Sequence, residues 1–489
     1  MVMNVDAIKK DLVIKLLEAL LRSKFLKKSL MPALEKQIHR TITQNYSRHP
    51  QNIRLRKYQT IVAILNTAAD NFQNGYISRK FMDLAFNFVK LGLEDGESIG
   101  CVGSYREKYA EEPPGFLVLS PTKKCNLACK DCYATSNTGE DTALRYETVE
   151  KITREAYNLF GNRFMTISGG EPFFYEDNGK TLFDIWKKFN DMVFLVYTNG
   201  TLITEEVARR LGELGNVTPA ISVEGFEKET DARRGRGTFK KILKAIGNLK
   251  KAGVPVGISV TVTKNNAGIF MKDDFYRFFF EKQNISHMWM FHLMPIGRAQ
   301  NIMDMMPTAE QRFRLFRKWE ELLAKNKWFI ADFWNSGAVV DGCIAYARHY
   351  FYINWDGNVM PCVFVPYYVD NIHDTYKKGG TLIDAVSSDF FKRGRSWQKN
   401  YGLSTPENPG NWLMPCSIKD HYKDFRVEIL PQNAKPENES ARSALYSKRY
   451  FDFLDSFDKK LRELTEPVWK EEYLKDNRDP KDGPGRRLK

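Results

Sequence analysis

Apolar and polar positions change their period along this chain. Ile8, Leu12, Leu16, Leu20 and Leu21 fall three or four residues apart, with Lys9, Lys10, Lys15, Arg22 and Lys24 between them. That spacing predicts an amphipathic helix with a basic face. Further helical stretches are expected around Lys57 to Phe72 and Ser78 to Leu93, and Pro113-Pro114 ends the region. From Gly115 onward, short apolar runs alternate with longer amphipathic stretches. The runs are Phe116–Leu119, Phe164–Ile167, Val193–Tyr197, Pro219–Val223, Gly257–Val262 and Met288–Met294. The stretches between them include Tyr146–Phe160, Thr181–Asn190, Glu205–Leu214, Phe239–Ala252 and Lys272–Lys282. Strand then helix, repeated about six times, predicts an α/β fold with a parallel sheet. Six units suit an open, partial (β/α)6 barrel better than a closed eight-unit one.

The remainder is less regular. Residues 308–328 predict one more helix. Residues 335–430 carry Gly, Pro, aromatics and three cysteines; 431–445 read as a linker and 446–475 as charged helix. The tail from Asn477 is expected to be disordered. The expected organisation is a helical region over 1–112, the barrel over 113–305, a connecting helix over 306–334, a cysteine-bearing domain over 335–430, and a linker, helix and basic tail over 431–489.

Composition sets limits. The 489 residues suggest about three domains. With 43% apolar and 27% charged residues, the chain is not wholly disordered. The apolar stretch Leu12 to Leu26 is broken by Lys15, Glu18, Arg22 and Lys24, whereas a membrane span needs about 20 nearly uninterrupted apolar residues. The same charges argue against a secretory signal peptide, so a cytoplasmic protein is expected. The net charge of +14 favours anionic partners without choosing among them. Residues 1–50 hold ten Lys and Arg against four Asp and Glu, which suits peripheral contact of residues 7–30 with an anionic membrane surface. Packing of that helix on the barrel rim is the alternative. No nucleic-acid-binding module is found, and none is expected from charge alone.

Seven cysteines, an odd number in a large chain, point to metal or redox chemistry rather than a disulfide framework. Three fall in Cys125-Asn-Leu-Ala-Cys129-Lys-Asp-Cys132-Tyr133, just after the first expected strand. Three soft thiolates there suit an iron–sulfur cluster, with one iron left open to a ligand. A zinc site completed by a distant residue is the alternative. Cys101 has no matching partner and reads as a buried apolar cysteine.

The C-x3-C-x2-C run resembles the signature of the radical S-adenosylmethionine (SAM) enzymes. Further segments match in order: Ser168-Gly169-Gly170-Glu171-Pro172, Thr198-Asn199-Gly200, Ser222-Val223-Glu224-Gly225, then Asp231, Arg234, Gly235, Gly237 and Phe239, and finally Pro295, Gly297, Arg298 and Ala299. The resemblance implies a [4Fe–4S] cluster on Cys125, Cys129 and Cys132 whose open iron binds SAM. Reductive cleavage of SAM then gives a 5′-deoxyadenosyl radical that abstracts hydrogen from a C–H bond. It also implies contacts to SAM from Tyr133, Ser168, Gly169, Gly170, Glu171, Thr198, Asn199, Ser222, Glu224 and Arg234. The Glu171 carboxylate is expected on the SAM ammonium and Arg234 on the SAM carboxylate. An electron donor such as a flavodoxin or ferredoxin is implied as well.

Cys343, thirteen residues, Gly357, then Cys362 resembles the opening half of the SPASM and twitch extensions, which hold auxiliary iron–sulfur clusters. Asn354 to Gly357 predicts a hairpin turn that brings Cys343 and Cys362 together on neighbouring strands. Cys416 is the natural third ligand. Full SPASM cysteines are absent, so one auxiliary cluster is expected, its fourth ligand being His421 or Asp420, or its fourth position open. The substrate is not read from the sequence. The basic first helix favours a lipid or isoprenoid; a peptide is the alternative, and a non-enzymatic iron–sulfur electron carrier a further one.

Overall fold

The computed structural model describes residues 24–45, 49–93, 100–402 and 409–475. The first 23 residues, which carry most of the expected basic helix, and the tail from Asn477 lie outside them.

Four helices come first: α1 (Lys24–Asn45), α2 (Gln51–Gln73), α3 (Arg79–Leu93) and α4 (Gly100–Tyr109). Leu34, Ile38 and Ile42 of α1 meet Ala69, Tyr58 and Ile61 of α2 in a small apolar cluster separate from the main core. Lys57 of α2 anchors the region to the body of the protein, donating to the Val339 carbonyl at 2.8 Å. Cys101 is half-buried rather than buried as expected, because α4 turns that face towards the surface.

The six expected strands are β1 (Phe116–Leu119), β2 (Phe164–Ile167), β3 (Val193–Thr198), β4 (Val217–Val223), β5 (Gly257–Val262) and β6 (His287–His292). They pair in chain order and in parallel. The intervening helices are α5 (Tyr146–Leu159), α6 (Leu182–Lys188), α7 (Glu205–Leu214), α8 (Glu227–Arg234), α9 (Thr238–Lys251) and α10 (Asp273–Arg277). Alternation along each strand decides which side chains face where. On β1, Leu117 and Leu119 are fully buried against the helices, whereas Phe116 and Val118 face the barrel interior. Each large aliphatic side chain so buried contributes about 1.5–3 kcal/mol.

Two further parallel strands extend this wall at its edges. After α11 (Ala309–Lys325), β7 (Ile330–Asp332) pairs with β6. At the other edge β8 (Tyr350–Ile353) pairs with β1, Tyr350 standing beside Phe116. The Phe333 and Tyr350 rings, 6.4 Å apart, approach each other across the remaining gap. The partial barrel therefore has eight parallel strands, the last supplied by the cysteine-bearing segment itself. A turn at Asn354–Gly357 leads from β8 into the antiparallel β9 (Asn358–Met360), Gly357 adopting a φ of +79°.

The expected linker over 431–445 is ordered instead. Lys435–Pro436 pairs with Tyr367–Tyr368, and α12 (Glu439–Tyr446) follows, capped by the Asn438 side chain on the Ala441 amide. The capping signal lay in Asn438 itself. The last long helix, α13 (Lys448–Val468), packs against α11.

Candidate functional site

The interior of the barrel is a chamber of about 470 Å³ running most of its length. At the carboxyl ends of the strands its wall includes Cys125, Cys129, Cys132, Tyr133, Ser168, Gly169, Gly170, Thr198, Asn199, Ser222 and Arg234. At the opposite end the wall is aromatic, with Phe116, Phe164, Trp289 and Phe329, and Thr60 and Ile64 of α2 close it.

The cysteine loop is held from three sides. The Gly170 amide donates to the Thr122 carbonyl at 2.8 Å, and the Glu171 amide to Lys124 at 2.9 Å. A Cβ on Gly170 would stand 2.1 Å from the Lys124 carbonyl oxygen, so only glycine permits this approach. Arg298 straps the loop from the far side, donating to the carbonyls of Cys129 at 3.0 Å and Ser136 at 2.9 Å. Gly297, at φ +58°, lies against the Tyr133 carbonyl, where a Cβ would approach to 2.2 Å. The Tyr133 hydroxyl pairs with Ser168 Oγ at 2.8 Å.

Two carboxylates are arranged differently from expectation. Glu171 is fully buried and absent from the chamber wall. Its carboxylate accepts from the Thr198 hydroxyl at 2.7 Å, the Asn199 amide at 2.8 Å and the Phe173 amide at 3.2 Å. It therefore braces the turn after β3 rather than reaching for a ligand ammonium. Burial raises its pKa, and those three hydrogen bonds oppose the rise. Arg234, expected to be free for a carboxylate ligand, is committed to Glu224 through Nε at 2.9 Å and Nη2 at 2.6 Å. Arg233, which was not singled out, lies in the same wall and pairs with both Asp131 and Glu224. Adjacent arginines in Arg233-Arg234 were the available signal. Glu224 Oε2 remains buried without a hydrogen-bond partner, an orphan acceptor beside the cysteine loop.

Burial pushes the Cys125 thiol up to about 12 and raises Cys129, whose nearest favourable charge is Arg234. Two thiols this hard to ionise need a strong cation to become thiolates. The three soft donors, the glycine cradle and the orphan acceptor fit an iron–sulfur cluster with a polar ligand beside it. Among the described residues, no three His, Cys, Asp or Glu side chains close on a point as a single metal ion requires. Zinc, with bonds of about 2.3 Å to sulfur, is therefore not favoured by this geometry.

Cys343, Cys362 and Cys416 form a second group. Cys343 sits in a turn before β8 and Cys362 just after β9, so the hairpin joins them from outside its strands rather than on them. Burial raises all three thiols; Cys343 and Cys362 also raise Cys416, and Cys362 reaches about 12. The Tyr350 hydroxyl lies 2.7 Å from Cys362 Sγ, and the Phe364 amide donates to the same sulfur at 3.4 Å. A sulfur that receives two donors is suited to the thiolate form. Ile344, Val363 and Phe364, the sequence neighbours of Cys343 and Cys362, line the chamber.

Neither expected fourth ligand is available to this group. His421 donates from Nε2 to the Met414 carbonyl at 2.9 Å, and its Nδ1 faces Arg462 Nη2 at 3.4 Å. Its ring packs edge-on against the stacked Trp397 and Tyr401, and with both nitrogens hydrogen-bonded no lone pair is left for a metal. Asp420 takes a two-pronged ion pair from the fully buried Arg312 and accepts from the Cys416 amide at 3.0 Å. Arg312 also donates to the carbonyls of Trp334 and Leu413, both at 3.1 Å. Arginine on an otherwise ordinary helical face gave no sign of this in the sequence.

Comparison with known proteins follows this geometry. The family model of the radical SAM superfamily matches residues 119–268. Mycofactocin maturase MftC of Mycobacterium tuberculosis is 29% identical over 330 residues, covering 64% of this chain and 78% of that protein. The AdoMet-dependent heme synthase of Oleidesulfovibrio alaskensis is 28% identical over 288 residues, covering 53% and 72%. Streptococcus suis SuiB, in its structure bound to precursor peptide SuiA, superposes with a TM-score of 0.51 at 17% identity over 66% of this chain and 75% of that one.

Proposed function

The chain belongs to the radical SAM superfamily, and from that premise we propose that it is a maturase whose substrate is a peptide. When bound, the [4Fe–4S] cluster and SAM supply a 5′-deoxyadenosyl radical that removes hydrogen from a C–H bond. Cys125, Cys129 and Cys132 would hold that cluster, and Ser168, Gly169, Gly170, Thr198, Asn199 and Ser222 would form the bed for SAM. Tyr133 would shield its adenine side. Glu171 and Glu224 act one step back, fixing the Thr198–Asn199 turn and the two arginines. Cys343, Cys362 and Cys416 would hold one auxiliary cluster, with no fourth ligand from His421 or Asp420.

The observation that carries the peptide reading is the composition of the chamber wall. Past the cysteine loop it is mainly aromatic and aliphatic, interrupted by the hydroxyls of Thr166, Tyr197, Ser259, Thr261 and Ser336 and by the His292–Asp332 pair, 3.2 Å apart. The basic residues of that wall are Arg233 and Arg234, both paired with Glu224, and His292, paired with Asp332. Such a wall accepts an apolar or aromatic side chain with a short run of backbone. A tetrapyrrole bearing several carboxylates needs free cations along its edge, and this wall offers none among the described residues. MftC, the maturase above, and SuiB, with its precursor peptide, support the same choice. The lipid or isoprenoid reading rested on residues 7–30, most of which lie outside the described residues. No described helix is long and apolar enough to cross a membrane.

Isotope transfer tests the proposal. Reconstituted protein is incubated with SAM, a strong reductant and, separately, a deuterated peptide pool, a deuterated lipid extract and a deuterated porphyrinogen. Singly deuterated 5′-deoxyadenosine from the peptide pool alone is expected. Deuterium arriving only from the lipid or the porphyrinogen would overturn the peptide assignment.

A further inference from the structure

Tyr350 belongs to two sites at once. It opens β8, its ring lines the chamber, and it stacks on Phe116 with centroids 5.2 Å apart and planes 5° from parallel. Its hydroxyl, at the other end of the ring, meets Cys362 Sγ at 2.7 Å. Tyr346 provides an internal comparison. It is equally buried, yet its hydroxyl pairs with Ser417 Oγ at 2.7 Å rather than with sulfur.

We propose that Tyr350 is a positioning residue that ties the substrate chamber to the auxiliary cluster: its O–H donates to the Cys362 thiolate and holds the cluster's reduction potential up, while its ring forms the part of the chamber wall through which an occupant reaches that bond. This rests on the assignment of an auxiliary cluster to Cys343, Cys362 and Cys416. A hydrogen bond to a ligating sulfur withdraws negative charge from the cluster and favours its reduced form. The ring is locked between Phe116 and the chamber, so the bond's geometry follows the wall.

The test is an EPR-monitored redox titration of the reconstituted full chain, with detection of exchangeable protons coupled to each cluster after transfer to deuterium oxide. Tyr350→Phe keeps the ring and its stacking and removes only the donor. The expected result is a more negative midpoint for the auxiliary cluster and loss of one exchangeable-proton coupling. The other cluster's midpoint stays unchanged. Tyr346→Phe keeps the coupling. An unchanged midpoint in Tyr350→Phe, or loss of the same coupling in Tyr346→Phe, would overturn the proposal. A wild-type protein that loads only about four irons would overturn it together with the auxiliary-cluster assignment, while 5′-deoxyadenosine formed by that sample would leave the radical core standing.

Discussion

Single residues behind the chamber wall carry much of the stability. Arg312 and Asp420 are both buried, and the arginine also donates to the carbonyls of Trp334 and Leu413. Arg312→Met strands the Asp420 carboxylate in the interior, at a cost of about 3–5 kcal/mol. The melting temperature is expected to fall and auxiliary iron to be lost, because Asp420 also fixes the Cys416 amide. Adding Asp420→Asn should recover part of that loss, as the uncompensated charge goes. Asp458 makes a different prediction. Burial, with Asp420 nearby, pushes its carboxyl from the ordinary 3.8 up to about 9. Between those values the folded chain holds a proton that the unfolded chain has released, so Asp458 lowers stability as pH rises from about 4 to 9. Asp458→Asn should therefore melt above wild type at pH 8, with the gap closing as pH is lowered towards 4. Melting curves across that range check this, and a gap independent of pH would contradict it.

At the scale of elements, the crossing of two loops at Gly170 decides whether the site forms. Gly170→Ala drives a methyl into the Lys123 and Lys124 carbonyls, immediately before Cys125. SAM cleavage should fall by at least about tenfold, the equivalent of 1.4 kcal/mol, measured as the rate of 5′-deoxyadenosine formation. Gly103→Ala in α4, where a methyl meets nothing within 4 Å, should leave that rate unchanged and raise stability by about 0.5–1 kcal/mol. The six strands and most of the helices between them were legible in the sequence because strands buried on both faces read as short apolar runs and helices buried on one face read with a period of 3.6. The strand β7 was not, since three residues in an aromatic, irregular stretch carry no period, and of β8 the hairpin was legible but not its pairing with β1. The cysteine trios were legible as spacings. The duties of Glu171, Arg234 and His421 were not, because a motif shows which residues meet but not which partner takes each oxygen or nitrogen. Asn199 and Thr198 claim Glu171, Glu224 claims Arg234, and Met414 with Arg462 claims His421.

The whole molecule joins these parts around one chamber. The barrel supplies most of the wall, α2 closes one end, and the segment holding Cys343 and Cys362 contributes β8 and so becomes part of the barrel itself. A substrate bound in the chamber would lie between the Cys125 loop and the second cysteine group, with Tyr350 and Phe364 in the wall on the latter side. The central claim is that the first cysteine group cleaves SAM while the second holds a cluster of its own. Anaerobic reconstitution with iron and sulfide, followed by a 5′-deoxyadenosine assay on wild type and the Cys125/Cys129/Cys132→Ala variant, tests it most directly. The predicted result is 5′-deoxyadenosine from wild type, none from the variant, and about four irons retained by the variant as one remaining cubane. No SAM cleavage by a fully loaded wild type, or equal cleavage by the variant, would contradict it.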